Sequence, residues 1–454
     1  MQPIVYLTHA AGKNNAANPI HKESKCSMDD TGISKHSFEN GLTVLVKEIH
    51  HVPLVSHWVW YRVGSRNERP GQTGISHWVE HMQFKGTPKY PIHTLDQAVS
   101  RDGGVWNALT YLDWTTYFET LPSHKLDIGL QLEADRMRNS LFDAHETELE
   151  RSVVISERQG NENDPLFRLG EAVQKAAFNA HPYRGQVIGE LADLKSITRE
   201  DLYGHYRRFY TPTNAVIALA GDVDTKDALA KLGELYGDIP GQSPDNQDPQ
   251  PEISIGQAQW IELEGPGETV YLQLSYRAPA ARDDDFFALM VLDSFLTGPS
   301  SLAMFGGGGV SNKTSRLYQR LVEQDLAVSV SAGLQATIDP YLYEMLVILP
   351  PQQPVEDVVK VIEGEIAALQ DGHARQENID QAIRQAKALF AYGSESITNQ
   401  AFWLGYASMF ADYNWFASYL RQIEQVTPER ITQVARRFLN KEQRVTGVYR
   451  PKNG

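Results

Sequence analysis

The chain has one cysteine, Cys26, so no disulfide can form within it. That fits a reducing compartment. Cys26 lies in a polar stretch without a metal-binding or redox pattern around it and reads as a bystander. No run approaches the ~18 apolar residues that a membrane-spanning helix needs. The opening "MQPIVYLTHAAGKNNAANPIHKES" lacks a basic segment followed by an apolar one, so it does not read as an export signal. An excess of positive charge is missing too. Against 57 Asp and Glu stand 42 Lys and Arg, a net charge of -15. Such acidity argues against nucleic acid and anionic membrane as partners and weakly favours basic peptides. A cytoplasmic location is expected, or a periplasmic one if an export signal has been removed.

What is present is ordinary globular composition, 41% hydrophobic and 22% charged over 454 residues, enough for two or more domains. Residues 1–35 are polar and irregular and read as a loose arm. "FENGLTVLVKEI" gives a turn at Asn40-Gly41 and an alternating strand, and "LVSHWVWYRVGS" a second strand. "VWNALTYLDWTTYFETLP" is rich in β-branched and aromatic residues and reads as one or two strands. Residues 124–159 and 167–179 have helical spacing, and "NAVIALAGDVD" reads as a buried strand. Pro, Gly, Asn and Asp crowd residues 241–256, a linker.

Beyond the linker the pattern restarts. "LKSITREDLYGHYRRFY" and "IEQVTPERITQVARRFL" match at an offset of 229, pairing Thr198 with Thr427 and Arg207-Arg208-Phe209 with Arg436-Arg437-Phe438. Thr followed two residues later by Glu fits a helix N-cap with a first-turn acid. An internal duplication follows: one domain at 36–240 and a homologous one at 257–454. The fold class is α+β, each domain a mostly antiparallel sheet with helices packed on one side. Laying "YLQLSYRAPA" on "HWVWYRVGS" gives an offset of 215 and puts Leu292 and Leu296 where the first half has His77 and His81. Metal chemistry is therefore expected in the first half alone.

That chemistry centres on "GISHWVEHMQFKGT", Gly74 to Thr87. On a helix, His77 and His81 share a face one turn apart, and Glu80 projects beside them. Two neutral imidazoles suit zinc, and a catalytic zinc site keeps one position open for water. Glu80 is placed to act as a general base. The order H-x-x-E-H is one of the known metallopeptidase arrangements. A third ligand is needed, and "ETELERSVVISERQGNEND" offers Glu150 and Glu157, seven apart on one helix face. Spacing alone leaves either open.

Several pieces in fixed order now resemble the pitrilysin/insulinase family, the inverzincins, and most closely its processing-peptidase branch. They include "VGSRNERPGQTGISHWVEHMQFKGTPKYP", "GGVWNALTYLDWTTYFETLP", "ELERSVVISER", "HPYRGQVIGELADLKSIT" and "FYTPTNAVIALAGDVD". The likeness covers nearly everything after about residue 33. It implies a zinc endopeptidase with one Zn2+ per chain, held by His77, His81 and Glu157, with Glu80 as catalytic base and Glu150 as a supporting acid. It implies that Asn107, Ala108, Leu109 and Thr110 form an edge strand that receives substrate backbone. It implies a chain that is half of a hollow clamshell dimer acting on unfolded peptides. Active members carry an arginine and a tyrosine, seven apart, opposite the zinc. The matching stretch here, "LVEQDLAVSV", holds Leu321 and Val328 at those positions, with Arg320 one place off and Tyr318 out of register. The expected partner is therefore a homologous non-zinc subunit that supplies the arginine and tyrosine; the alternatives are an active homodimeric peptidase of the same family and a non-catalytic structural subunit. "FGGGGVSNK", 305–313, resembles the family's glycine-rich loop and reads equally as a plain mobile loop.

Overall fold

The computed structural model describes residues 27–28, 32–92, 94–101, 103–245, 248–299 and 312–452. Cys26 and most of the glycine-rich stretch lie outside them. Two sheets organise the chain. The first contains β1 (Ser27–Met28), β2 (Ile33–Ser37), β3 (Thr43–Glu48), β4 (Leu54–Tyr61), β5 (Val105–Thr110), β6 (Thr115–Pro122) and β7 (Ala215–Gly221), in the order β1-β2-β3-β7-β4-β6-β5. The second contains β8 (Gln259–Gly265), β9 (Val270–Arg277), β10 (Ser329–Leu334), β11 (Leu342–Leu349) and β12 (Arg444–Pro451), in the order β10-β11-β9-β12-β8.

Read from the other end, the second sheet repeats the first. β3 and β7 are parallel, as are β8 and β12. β7 is antiparallel to β4, and β12 to β9. Thr198 and Thr427 both cap helices through their side chains, and both helices lead back into the middle of a sheet. The duplication read from the 229-residue offset is thus present in the strand order. Leu292 and Leu296 lie on helix Phe286–Leu296, which is buried on every side. A helix apolar all round belongs in a core, so the second copy has no surface on which to hold an ion there.

One expectation needs correction. The polar arm does not extend to residue 35, because Ile33–Ser37 pairs antiparallel with β3 and buries Ile33, Ser34 and His36. Its single large aliphatic residue made the strand invisible to a hydrophobic pattern. Each half's own helices pack on one face, and the other half lends a helix to the opposite face. Helix Ile397–Phe410 lies on β4 and β7, where it meets Trp58 and Trp60. Helix Pro165–Ala177 lies on β12, β9 and β8, where Leu169 and Val173 join Val445 and Tyr449. This double covering explains why "HWVWY" reads as a continuous apolar run rather than an alternating one.

Both exchanged helices come very close to their sheets. A Cβ at Gly405 would stand 2.0 Å from Trp60 Nε1, and one at Gly447 would stand 2.4 Å from Val173 Cγ2. The linker is pinned as well. Glu252 accepts hydrogen bonds from the backbone N–H groups of Asn179, Ala180 and His181, and Asp248 pairs with Arg66 at 3.0 Å. Among the described residues no helix is long and apolar enough to cross a membrane.

Candidate metal centre

The first element of the site is the helix Ile75–Met82. Its N-cap, Gly74, has φ of 85°, which a side chain would strain, and a Cβ there would meet Ile188 O at 2.5 Å. Glu68 satisfies the helix start by accepting from the N–H groups of Gly74 (2.8 Å) and Ser76 (2.9 Å). Ile75, Trp78, Val79 and Met82 face the core, so His77, Glu80 and His81 are left on the opposite side. The 3.6-residue period does this sorting.

The second element is the helix Ala144–Asn161, capped by Asp143. Arg151 fixes it against its neighbours. The guanidinium lies 4.7 Å from the Trp78 ring centroid and donates to Leu194 O (2.6 Å) and Ile197 O (2.9 Å). Glu150 and Glu157 consequently both face the histidines, two turns apart.

The structure separates their positions. Glu157 Oε2 lies 3.9 Å from His77 Nε2 and 3.7 Å from His81 Nε2. The two Nε2 atoms are 3.3 Å apart. Glu150 Oε1 instead lies 2.7 Å from His81 Nδ1, on the far side of the ring. Its other oxygen is 2.5 Å from Lys85 Nζ. Of the two acids that spacing left open, Glu157 is the one whose carboxylate stands beside both Nε2 atoms. Two ligands on a tetrahedral zinc, each about 2.0–2.1 Å from it, lie about 3.3–3.4 Å apart. The histidine nitrogens already match that separation, and Glu157 is within a few tenths of an ångström of it.

The electrostatics fit a cation as well. Burial, then the charge of His81, pushes His77 down to about 3, so its ring is neutral with a lone pair to give. Burial alone would lower His81, but the Glu150 hydrogen bond and nearby carboxylates raise it overall. Burial opposes ionisation of Glu150, and the His81 and Lys85 hydrogen bonds outweigh it, so the carboxylate stays charged. A charged Glu150 holds the proton on Nδ1 of His81, so Nε2 is the nitrogen turned toward His77 and Glu157. Burial raises Glu80, whose Oε2 accepts a 2.6 Å hydrogen bond from Thr110 Oγ1. That is a carboxylate whose pKa has been moved toward the range useful for proton transfer at neutral pH.

Asn107, Ala108, Leu109 and Thr110 lie on β5, which among the described residues pairs with β6 alone and forms an edge of the first sheet. Asn107 Oδ1 accepts from Ala108 N–H at 2.9 Å, and this protects the edge locally. Thr110 ties the strand directly to Glu80. Residue spacing gave no sign of that bond, nor of the cap at Glu68. Lys85 lies past the end of the helix, so its contact with Glu150 could not be read from helical spacing either.

On the second half, Leu321 is fully buried and Val328 is 62% exposed. The two positions do not share a surface, and neither side chain can donate. Arg320 is exposed and donates to Glu365 Oε1 at 2.9 Å.

Comparison with known proteins places these features in a family. Residues 43–190 match the family model described as "Insulinase (Peptidase family M16)", and residues 196–386 match "Peptidase M16 inactive domain". An uncharacterized zinc protease of Mycobacterium leprae is 28% identical over 431 residues, covering 92% of each chain. A probable mitochondrial-processing peptidase subunit beta of Arabidopsis thaliana is 28% identical over 297 residues, 64% of this chain and 55% of that one. The crystal structure of a protease from Helicobacter pylori superposes with a TM-score of 0.85 at 25% identity, covering 94% of this chain and 100% of that one.

Proposed function

Because the chain belongs to the insulinase family, peptidase family M16, we propose that it is a zinc-dependent endopeptidase cutting unfolded peptides in a closed chamber. It serves there as the catalytic subunit of a heterodimer. The observation that carries the reading is the convergence of His77 Nε2, His81 Nε2 and Glu157 Oε2 beside a half-buried Glu80.

His77, His81 and Glu157 hold one Zn2+ per chain, and Glu150 orients His81. Zinc, when bound, polarises the scissile carbonyl and brings the pKa of a water toward neutrality. Glu80 removes the proton from the attacking water and returns it to the leaving amine. Thr110 holds Glu80 at the end of β5, so the base and the substrate-binding edge keep a fixed relation. Asn107 to Thr110 pair with substrate backbone as an added strand, with Asn107 turning away from Ala108 N–H to admit it.

The partner is a homologous subunit without zinc that carries the arginine and tyrosine this chain lacks at Leu321 and Val328. Those side chains would stabilise charge developing on the carbonyl oxygen. The buried leucine at 321 supports this reading, as does the word "subunit" in the name of the plant relative. Peptide cleavage by the chain alone and after mixing with a candidate partner tests it. Turnover should rise about 100-fold or more on mixing, the scale of losing a polarising donor. Full activity of the isolated chain would rule the heterodimer out.

A further inference from the structure

The helix Ile75–Met82, which carries His77 and His81, is held at its two ends by side chains of opposite charge. Glu68 accepts from the N–H groups at its start. At the other end Arg136, on helix Leu126–Asn139, donates from Nε to the backbone carbonyl of the C-cap, Gln83, at 3.1 Å. The last carbonyls of a helix have no partner within it, and a cation beside them complements the negative end of the helix dipole. Ser140 Oγ adds a second tie, 2.7 Å from Gln83 Oε1 and 3.0 Å from Arg136 O.

Arg136 is buried, and its Nη1 meets Glu133 Oε1 at 2.5 Å. Its guanidinium carbon lies 4.7 Å from the ring centroid of Phe84, 5.3 Å from that of Trp106 and 5.0 Å from that of Tyr117. Phe84 follows the metal helix, Trp106 is on β5 and Tyr117 is on β6. One cation thus joins the helix and both strands. Stability alone does not account for it, because a buried ion pair is often no more stabilising than apolar side chains of the same volume. What a guanidinium supplies, and a leucine does not, is a flat face for rings to stack on and a fork that reaches a carbonyl.

The consequence lies on β5. Side chains alternate along a strand, so Trp106, Ala108 and Thr110 share one face. At one end of that face Thr110 Oγ1 donates to Glu80 Oε2 at 2.6 Å. At the other end Trp106 packs against Arg136 and against Phe84, whose ring centroid is 4.9 Å away. The stretch Asn107–Thr110 is therefore held between two anchors, and both lead to the same short helix. Among the described residues β5 has a strand neighbour on one side only, so the sheet does not steady its outer edge.

We propose that Arg136 is a positioning residue for this edge strand. It holds Trp106 against the end of the metal helix, so that the substrate-receiving stretch and Glu80 keep one spacing. The assignment rests on the peptidase reading above, since a peptide lying on β5 is what gives that spacing a use. Arg136 acts through Trp106 and Gln83 rather than on the peptide itself.

The test reads the strand separately from the reaction. Arg136→Met combined with Glu133→Gln removes the ion pair without leaving one charge buried alone. Hydrogen exchange of the zinc-loaded double variant should then quicken about tenfold over residues 105–110, the scale of one desolvated cation–π contact. Residues 215–221, on the central strand β7, should exchange as in the wild type, and zinc should stay at about one per chain. Equal quickening of both segments, or none over 105–110, overturns the proposal. Should the double variant fail to fold, Trp106→Leu removes the strand's side of the contact and leaves the ion pair in place. It should give the same local change, and unchanged exchange over 105–110 there overturns the proposal. Casein peptides added to the zinc-loaded Glu80→Gln chain should slow exchange over 105–110, and the double variant in that background should bind them about tenfold more weakly. Protection with unchanged affinity overturns the positioning role. If the strand loosens as expected but casein peptides never protect it, the edge-strand part of the peptidase reading fails and the anchoring by Arg136 stands.

Discussion

Glu150 Oε1 lies 2.7 Å from Nδ1 of His81, while the Nε2 of the same ring faces His77 and Glu157. One imidazole is thus gripped on one side and offered on the other. Replacing the grip by Glu150→Gln keeps the shape but removes the charge that fixes the proton on Nδ1. Zinc affinity should fall about 10- to 100-fold, the usual cost of losing such a support. Competition with a chelator measures it. An unchanged affinity would mean that Glu150 serves only Lys85.

The exchanged helix makes a second point of vulnerability. Gly405→Ala puts a methyl where Trp60 Nε1 now stands, 2.0 Å away, so the helix or the stacked tryptophans must shift. Overpacking of this kind costs about 1–3 kcal/mol. Urea denaturation of the variant should show the loss, even though alanine favours helix more than glycine does. A more stable variant would show that the helix is not docked on β4 as described.

Acid should weaken the fold through His205. This ring is buried, with Nε2 3.3 Å from Ser76 Oγ, and burial followed by the charge of Arg208 pushes it down to about 3. Unfolded, it titrates near 6.5. Between those values the unfolded chain binds a proton that the folded chain refuses. Stability from this group is complete above about 6.5 and is lost as pH falls toward 3, at up to about 1.4 kcal/mol per pH unit. Denaturant unfolding at a series of pH values should show a shallower acid slope for His205→Gln than for the wild type. Equal slopes would place the titration elsewhere.

How much of this was legible beforehand depends on range along the chain. His77, Glu80 and His81 lie within one helical turn or so, and their shared face follows from the period alone. Glu150 and Glu157 share a face as well, so spacing could not rank them. What distinguishes them is which side of the His81 ring each reaches, a tertiary fact supplied beforehand by family resemblance alone. The duplicated topology was readable because Thr198 and Thr427 cap equivalent helices. The exchange of helices was not, since a helix's apolar face does not say which sheet it covers. Ile33 was passed over because one aliphatic residue among Ser, Lys and His makes no alternating pattern.

The central claim is that His77, His81 and Glu157 hold one zinc ion whose chemistry Glu80 serves. The most direct measurement is metal content after zinc loading and buffer exchange, paired with peptide turnover measured with the proposed partner subunit present. The wild type should hold about one zinc per chain, consistent with a single three-ligand site. Glu80→Gln should hold the same amount while turnover falls by about 10²–10⁴. Glu157→Gln should lose most of its metal and its turnover together. A Glu157→Gln chain that keeps a full zinc, or a Glu80→Gln chain that keeps cutting, would contradict the account.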